Sequence, residues 1–386
     1  MNQARPNSLL PMGFALIAVA LLAVIYYAPI WWVSLTAPNY PAEAFPDGVR
    51  IHFHFNGVFN GCKKVEKAEI SEKEALDCVH EMDTINHYVG MYPIAAGGVV
   101  ERALSPFLVS MLGVMVLGFA CNRPRLRQGV LTLGFGFIIG WMGLTFYAKD
   151  GLKYQSEGYV EALITSMDQA AGEKDQEIEI GGGIVERLRA ELAKSGQKQA
   201  SSEESQSKGN LIQSLRITFD KDQERKGGKA EAWNGSNSQV MLWHYDKSLG
   251  RYFNNRAEID PMVAGMGLAF QIVFFGIIGA MLLLIYGAGK TGSLLYWLLI
   301  IVPAALPVFF IIEYAAWLWW YGHSMNAMGA FTVKPFMPTV FGQGKVAQFA
   351  THSYPYWGFG MILVLSLVTA ALGILRRKEL RRGEVE

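Results

Sequence analysis

Seven histidines, three cysteines and sixteen methionines are the side chains of this 386-residue chain best suited to hold a ligand. His52 and His54 lie in Val49-Arg-Ile-His-Phe-His-Phe55. This strictly alternating run predicts a β-strand with Val49, Ile51, Phe53 and Phe55 on one face and Arg50, His52 and His54 on the other. Two imidazoles on one face could approach one ion, but an edge strand that turns its polar face to water looks the same. His87 and Met91 stand four apart in Asp83-Thr-Ile-Asn-His-Tyr-Val-Gly-Met91, on one helix face unless Gly90 ends the helix first. A second set follows in His323-Ser-Met325-Asn-Ala-Met328, with Met337 and His352 beyond it. Imidazole with thioether is a soft donor set that suits copper better than magnesium or calcium. Exposed Met beside a membrane also serves simply to fill gaps.

Glu313 interrupts the apolar run Phe309-Phe-Ile-Ile-Glu-Tyr-Ala-Ala-Trp317. A carboxylate in hydrocarbon is costly and is a functional candidate by default; an interfacial carboxylate reaching outward is the alternative. Its hydrogen-bond donor could be Tyr314, a neighbouring helix or a histidine outside the membrane. Cys62 and Cys78 are a reasonable disulfide in an oxidising compartment, closing a loop of about 15 residues worth roughly 3 kcal/mol. Metal ligation by the pair is the other reading. Cys121 is expected to stay a thiol.

Several chemistries are not expected. Gly287-Ala-Gly-Lys-Thr291 is no phosphate-binding loop, because Leu284 stands where the pattern needs its first Gly and an apolar run precedes it. No histidine pair lies mid-span and no Cys-x-x-Cys-His occurs, so haem is not expected. No nucleophile–base pair, paired carboxylates or dinucleotide fingerprint stands out, which argues against an enzyme and against a bound nucleotide.

The elements that must position these residues are mostly membrane helices. Only 17% of the chain is charged while 51% is hydrophobic, against about 25% charged in soluble domains. That balance excludes a disordered chain, a basic nucleic-acid binder and a small disulfide-stapled module. A helix needs about 20 apolar residues to cross the bilayer, and six stretches qualify: 12–33, 104–121, 130–147, 262–286, 294–318 and 357–375. The first has one early cation, Arg5, and no Ala-x-Ala site; Ile30, Trp31 and Trp32 resemble an interfacial anchor, so the segment is expected to be retained. Arg123, Arg125 and Arg127 follow the second span, Lys290 lies in the 287–293 turn, and Arg376, Arg377, Lys378, Arg381 and Arg382 follow the sixth. All fall on one side if residues 1–11 and 376–386 are cytoplasmic, with 122–129 and 287–293 as the inner loops. Insertions 34–103 and 148–261 and loop 319–356 then face outward, carrying every histidine. The expected location is a bacterial inner membrane crossed several times.

Outside the membrane, Ser71 and Glu74 fit a capping box, and Leu76, Val79 and Met82 give the following helix an apolar face that ends near Gly90 and Pro93. Residues 183–195 read as a short amphipathic helix and 194–208 as a polar flexible loop. Residues 215–219 and 239–245 are strand-like. The fold expected is an α-helical membrane protein of about six spans, with an exterior α+β or mainly β domain built from the two insertions. The apolar loop 334–349 is expected to pack along the membrane or the exterior domain, or to meet a partner.

Asn86-His-Tyr-Val-Gly-Met91, together with Phe336-Met-Pro338 and Gly342-Gln-Gly-Lys345, resembles a poorly characterised group of prokaryotic multi-span membrane proteins. These share an Asn-His-Tyr-Ile/Val-Gly-Met string and are associated with copper handling around nitrogen-oxide and related copper enzymes. The resemblance covers those strings and the overall layout. It implies a copper-linked accessory role, with His87 and Met91 at the matching positions, and says nothing of His52, His54 or the polar insertion. Three functions therefore stand. The first is an accessory protein whose exterior domain binds or delivers copper through His87 and Met91, joined by His52, His54, His323 and Met325. The second is a non-catalytic structural or assembly subunit. The third is a permease, kept open by Pro303, Pro307, Gly358 and Gly360. The partners expected are the lipid bilayer and a membrane or periplasmic protein, with no nucleic acid.

Overall fold

The computed structural model describes residues 9–63, 76–172, 200–226, 230–331, 333–346 and 348–385. The chain is a multi-span membrane protein, mostly helical, with one five-stranded antiparallel sheet. Among the described residues, five helices are long and apolar enough to cross a bilayer: α1 (Leu9–Tyr27), α3 (Ile94–Ala120), α4 (Pro124–Tyr147), α8 (Arg256–Gly287) and α11 (Trp357–Val385). A bent pair of helices makes a sixth candidate span if the two are taken together. Helices α9 (Leu294–Ala304) and α10 (Leu306–His323) meet at Ala305 with a bend of 67°. Pro307 has no N–H to offer the Pro303 carbonyl four residues back, and its ring crowds that carbonyl, so a straight helix cannot pass.

The chain divides into two compact units, residues 1–92, 104–139 and 269–386 in the first and 93–103 and 140–268 in the second. The sheet belongs to the first. Its order is β3 (Gly57–Asn60), β2 (Val49–His54), β1 (Trp31–Thr36), β5 (Phe349–Pro355), β4 (Gly342–Val346). Trp31 pairs with Phe53 on one side and Pro355 on the other, so strands from both ends of the sequence flank β1. Trp31, Val33, Leu35, Val49 and Ile51 are buried on one face. There Trp31 lies 5.6 Å from the Tyr314 ring of α10 and 5.6 Å from the Phe359 ring of α11.

Ile30-Trp31-Trp32 is thus not the end of a span. Helix α1 stops at Tyr27, because Pro29 cannot donate within a helix and disfavours helical backbone before it. The Trp- and Val-rich residues beyond suit a pleated surface. Helix α2 (Cys78–Tyr88) packs against β2 and β3. Its N-cap is Asp77, whose carboxylate accepts from the N–H groups of Val79 (3.0 Å) and His80 (3.2 Å). The Ser71–Glu74 capping box lies outside the described residues.

In the second unit a 3₁₀ turn (Gly151–Tyr154) precedes α5 (Glu157–Gly172), α6 (Ala200–Lys226) and α7 (Asn237–Leu249). Three expectations are corrected here. Residues 215–219 and 239–245 are helical, and residues 200–208 form the first turns of α6 rather than a loop. Leu211, Leu215 and Phe219 recur every fourth residue and are all buried, which is a helical period that a five-residue window conceals. Lys208 donates to the carbonyls of Lys153 and Gln155, which fixes the polar start of α6. Residues 183–195 lie outside the described residues.

Candidate functional site

The two soft-donor strings, far apart in sequence, are joined backbone to backbone. Helix α2 ends at Tyr88, and Gly90 then takes a left-handed backbone, φ +82°. The Gly90 N–H donates to the His87 carbonyl (2.9 Å) and the Met91 N–H to the Asn86 carbonyl (3.0 Å), so the chain folds back on the helix end. Onto this turn docks the segment after α10. Asn326 N–H donates to the Gly90 carbonyl (2.7 Å) and Phe331 N–H to the Tyr88 carbonyl (2.9 Å). The buried Asn326 side chain donates to the Tyr92 hydroxyl (2.9 Å) and accepts from Met328 N–H (2.9 Å). A Cβ on Gly90 would collide with the Asn326 carbonyl oxygen, and one on Gly329 would meet the Gly90 backbone at 2.6 Å. Both glycines are needed for the close approach.

On this clasp, His87 closes α2 with its ring 4.2 Å from that of Tyr88, and Met91 is 6% exposed. The two do not share a helix face as their spacing suggested, because Gly90 turns the chain between them. His323 is the last residue of α10 and is exposed, its ring stacked 4.6 Å from Trp319. Its Nδ1 lies 2.7 Å from the Trp319 carbonyl. A carbonyl only accepts, so this bond is made with the proton on Nδ1. Met325 is half-buried and Met328 exposed on the same segment.

His52 and His54 share the polar face of β2 as expected but are engaged separately. His52 stacks on Tyr356 at 5.1 Å, next to Arg50, whose guanidinium covers the Trp32 ring at 4.1 Å. Burial first, then the charges of Arg50 and His54, push the His52 pKa down to about 4, so the ring is neutral at neutral pH. His54 packs on Phe59 at 4.5 Å, with Nδ1 3.1 Å from the Tyr27 carbonyl. Among the described residues, no three His, Cys, Asp or Glu side chains gather closely enough to hold a metal ion.

Glu313 lies half-buried on α10 and accepts from the Trp317 indole one turn on. Tyr314 does not serve it, since the Tyr314 hydroxyl lies 3.2 Å from Ser353 Oγ. Cys62 and Cys78 form a disulfide with Cα atoms 5.9 Å apart, and Cys121 is a buried thiol.

Two polar groupings carry no signal in the sequence pattern. In the second unit, His244 is 1% exposed, with Nε2 2.7 Å from Ser166 Oγ and Nδ1 3.3 Å from Ser248 Oγ. Burial pushes its pKa down to about 4. A serine beside an imidazole suggests a nucleophile and base, but a second hydroxyl stands where a triad has its carboxylate. Ser166 also reaches the carbonyls of Ala162 (2.8 Å) and Leu163 (3.1 Å). The grouping is a hydrogen-bonded core relay. The other is a pair of buried arginines, Arg127 and Arg376, around Tyr296 in the first unit. Compared with family models, curated proteins and solved structures, the chain matches none.

Proposed function

We propose that this protein is a membrane-anchored accessory protein that takes up a soft metal ion of the copper(I) type at the clasp between residues 86–91 and 323–328. The observation that carries this reading is the direct pairing of the two strings through Asn326 and Gly90 at 2.7 Å. It brings a segment holding His87 and Met91 against one holding His323, Met325 and Met328. The chemistry of the donors fits the ion, since thioethers and imidazole select soft metals. His323 suits it in a second respect. A ligating imidazole is commonly fixed by a hydrogen bond from its other nitrogen, and the Trp319 carbonyl supplies that bond. His52 and His54, each stacked elsewhere on the sheet, are left out of the set. The basic inner loops support a bacterial cytoplasmic membrane with both termini inside and the clasp facing out.

The test is copper(I) loading of the detergent-purified protein under reducing-chelator competition, with bound copper counted per chain. Binding that falls in both His87→Ala/Met91→Ala and His323→Ala/Met325→Ala supports the clasp. Copper content unchanged in both double variants, or no copper retained at all, removes it.

A second reading, a structural subunit of a larger membrane complex without a metal, is favoured by one observation. His52, His54, His87 and His323 are each packed against an aromatic ring at 4.2–5.1 Å, a use that packing alone explains. A partner retained at fixed ratio by a copper-free protein would select it.

A further inference from the structure

At one end of the first unit, the α3–α4 connection, the α8–α9 turn and the last third of α11 enclose two buried guanidinium groups. Arg127 is 0% exposed. Its Nη1 donates to the Ala288 carbonyl (3.0 Å) and its guanidinium carbon sits 4.4 Å from the centroid of the Tyr296 ring. Its Nε and Nη2 are buried with no hydrogen-bond partner among the described residues. Arg376 is 6% exposed. Its Nε donates to the Tyr296 hydroxyl (2.9 Å), Nη1 to Asn122 Oδ1 (2.6 Å) and Glu379 (3.0 Å), and Nη2 to the Asn122 carbonyl at a longer 3.3 Å. Phe119 stacks on the Tyr296 ring at 4.9 Å. Two buried cations thus share Tyr296, and among the described residues one carboxylate, Glu379, answers them.

Sidedness explains the exposed cations at this end, Arg123, Arg125, Lys290, Arg377, Lys378 and Arg381. It does not explain cations taken out of water. A buried charge is stable only when paired and hydrogen-bonded, and breaking such pairing is strongly destabilising. The excess positive charge here calls for an anion. Guanidinium groups match phosphate oxygens in shape and charge. The ends of the spans lie at head-group depth, where basic pockets between helices meet lipid phosphates.

We propose that this end of the protein binds the phosphate group of an anionic phospholipid, with Arg376 at the rim as the contacting group and Arg127 behind it as a positioning residue. Arg127 acts through the Tyr296 ring and through its own charge. Inorganic phosphate offers the same chemistry, and the bilayer is the source already present at this depth.

The delipidated full chain in neutral detergent tests this. It is titrated with phosphatidylglycerol, with phosphatidylcholine of the same acyl chains, and separately with inorganic phosphate. Bound lipid is read by native mass spectrometry and thermal unfolding by tryptophan fluorescence. Phosphatidylglycerol is expected to bind and raise the unfolding temperature, with phosphatidylcholine and phosphate doing neither. Arg376→Gln and Arg127→Gln are each expected to weaken binding about tenfold, the scale of one lost charge-assisted hydrogen bond. Arg376→Lys, which keeps the charge and guards against simple misfolding, is expected to retain part of it, and Arg377→Gln/Lys378→Gln most of it. Equal binding of the two lipids, or full binding in both Arg→Gln variants, overturns the proposal. Stabilisation by phosphate alone to the same extent reassigns the site to a free ion and overturns the lipid.

Discussion

The Asn326 N–H donates to the Gly90 carbonyl at 2.7 Å, and the Asn326 side chain donates to the Tyr92 hydroxyl at 2.9 Å. One residue thus fixes the turn after α2 at two points, and that turn carries His87 and Met91. Gly90 makes the approach possible through a positive φ and the absence of a Cβ. Gly90→Ala is therefore expected to cost about 1–2 kcal/mol in backbone conformation alone, with the collision against Asn326 added to it. Thermal unfolding should show the loss. On the proposed function, copper retention should fall with it. A variant as stable as the parent would mean that the clasp contributes nothing.

Ser353 is the second such junction. Its hydroxyl accepts from the Trp31 indole (2.8 Å), donates to the Val340 carbonyl (2.8 Å) and lies 3.2 Å from the Tyr314 hydroxyl, with the residue 0% exposed. A hydroxyl has one proton and two lone pairs, and all are used here. Ser353→Ala leaves the Trp31 N–H and the Val340 carbonyl without a partner in the core and is expected to cost about 1–3 kcal/mol. Tryptophan fluorescence should shift as Trp31 changes environment. An unchanged unfolding temperature would show that water replaces the hydroxyl.

Much of this architecture is legible in the sequence, for identifiable physical reasons. Bilayer thickness fixes how many apolar residues a span needs, so the spans stand out without any tertiary information. Strand β2 stands out because Val49–Phe55 alternates without a fault. Strand β1 does not, since Trp31–Thr36 follows directly on α1 and reads as more of the same apolar run. Its partner β5 lies more than 300 residues away, and nothing local announces the pairing. Residues 215–219 and 239–245 have the composition of strands, and only the longer spacing of Leu211, Leu215 and Phe219 reveals the helix. At the candidate site, both soft-donor strings are visible but their contact is not, because a backbone bond between Asn326 and Gly90 has no side-chain signature. Arg127 and Arg376 are visible only as charges that orient the spans. Their burial depends on Tyr296, from a third helix.

The disulfide gives a redox prediction. Cys62 and Cys78 tie the residues after β3 to the first turn of α2, and Asn60 reinforces the joint by accepting from the N–H groups of Cys62 (3.0 Å) and Cys78 (3.2 Å). A loop of about 15 residues corresponds to roughly 3 kcal/mol in the chain-entropy model. Reductant should lower the unfolding temperature of the parent protein. Cys62→Ser/Cys78→Ser should unfold at the lower temperature with or without reductant. A reductant effect that survives in the double variant would place its origin elsewhere.

His244 makes stability depend on pH in a defined window. Burial holds its pKa near 4, against 6.5 for a free histidine, so the unfolded chain takes up a proton that the folded chain refuses. The stabilisation is complete above pH 6.5, declines as pH falls through the interval, and is lost below about 4, for a total of roughly 3 kcal/mol. His52 is lowered to about 4 as well and acts with the same sign, but it is only half-buried, so solvent screens its share. Asp47 acts in a separate window. Its carboxyl is held below the usual range by Lys63, 2.8 Å away, so its contribution disappears only at more acidic pH. Chemical denaturation between pH 7 and pH 4 should show the decline, and His244→Gln should flatten most of it. Gln cannot titrate, so it removes the proton linkage even if its lost hydrogen bonds lower stability throughout. An unaltered slope in that variant would mean that other groups carry the dependence.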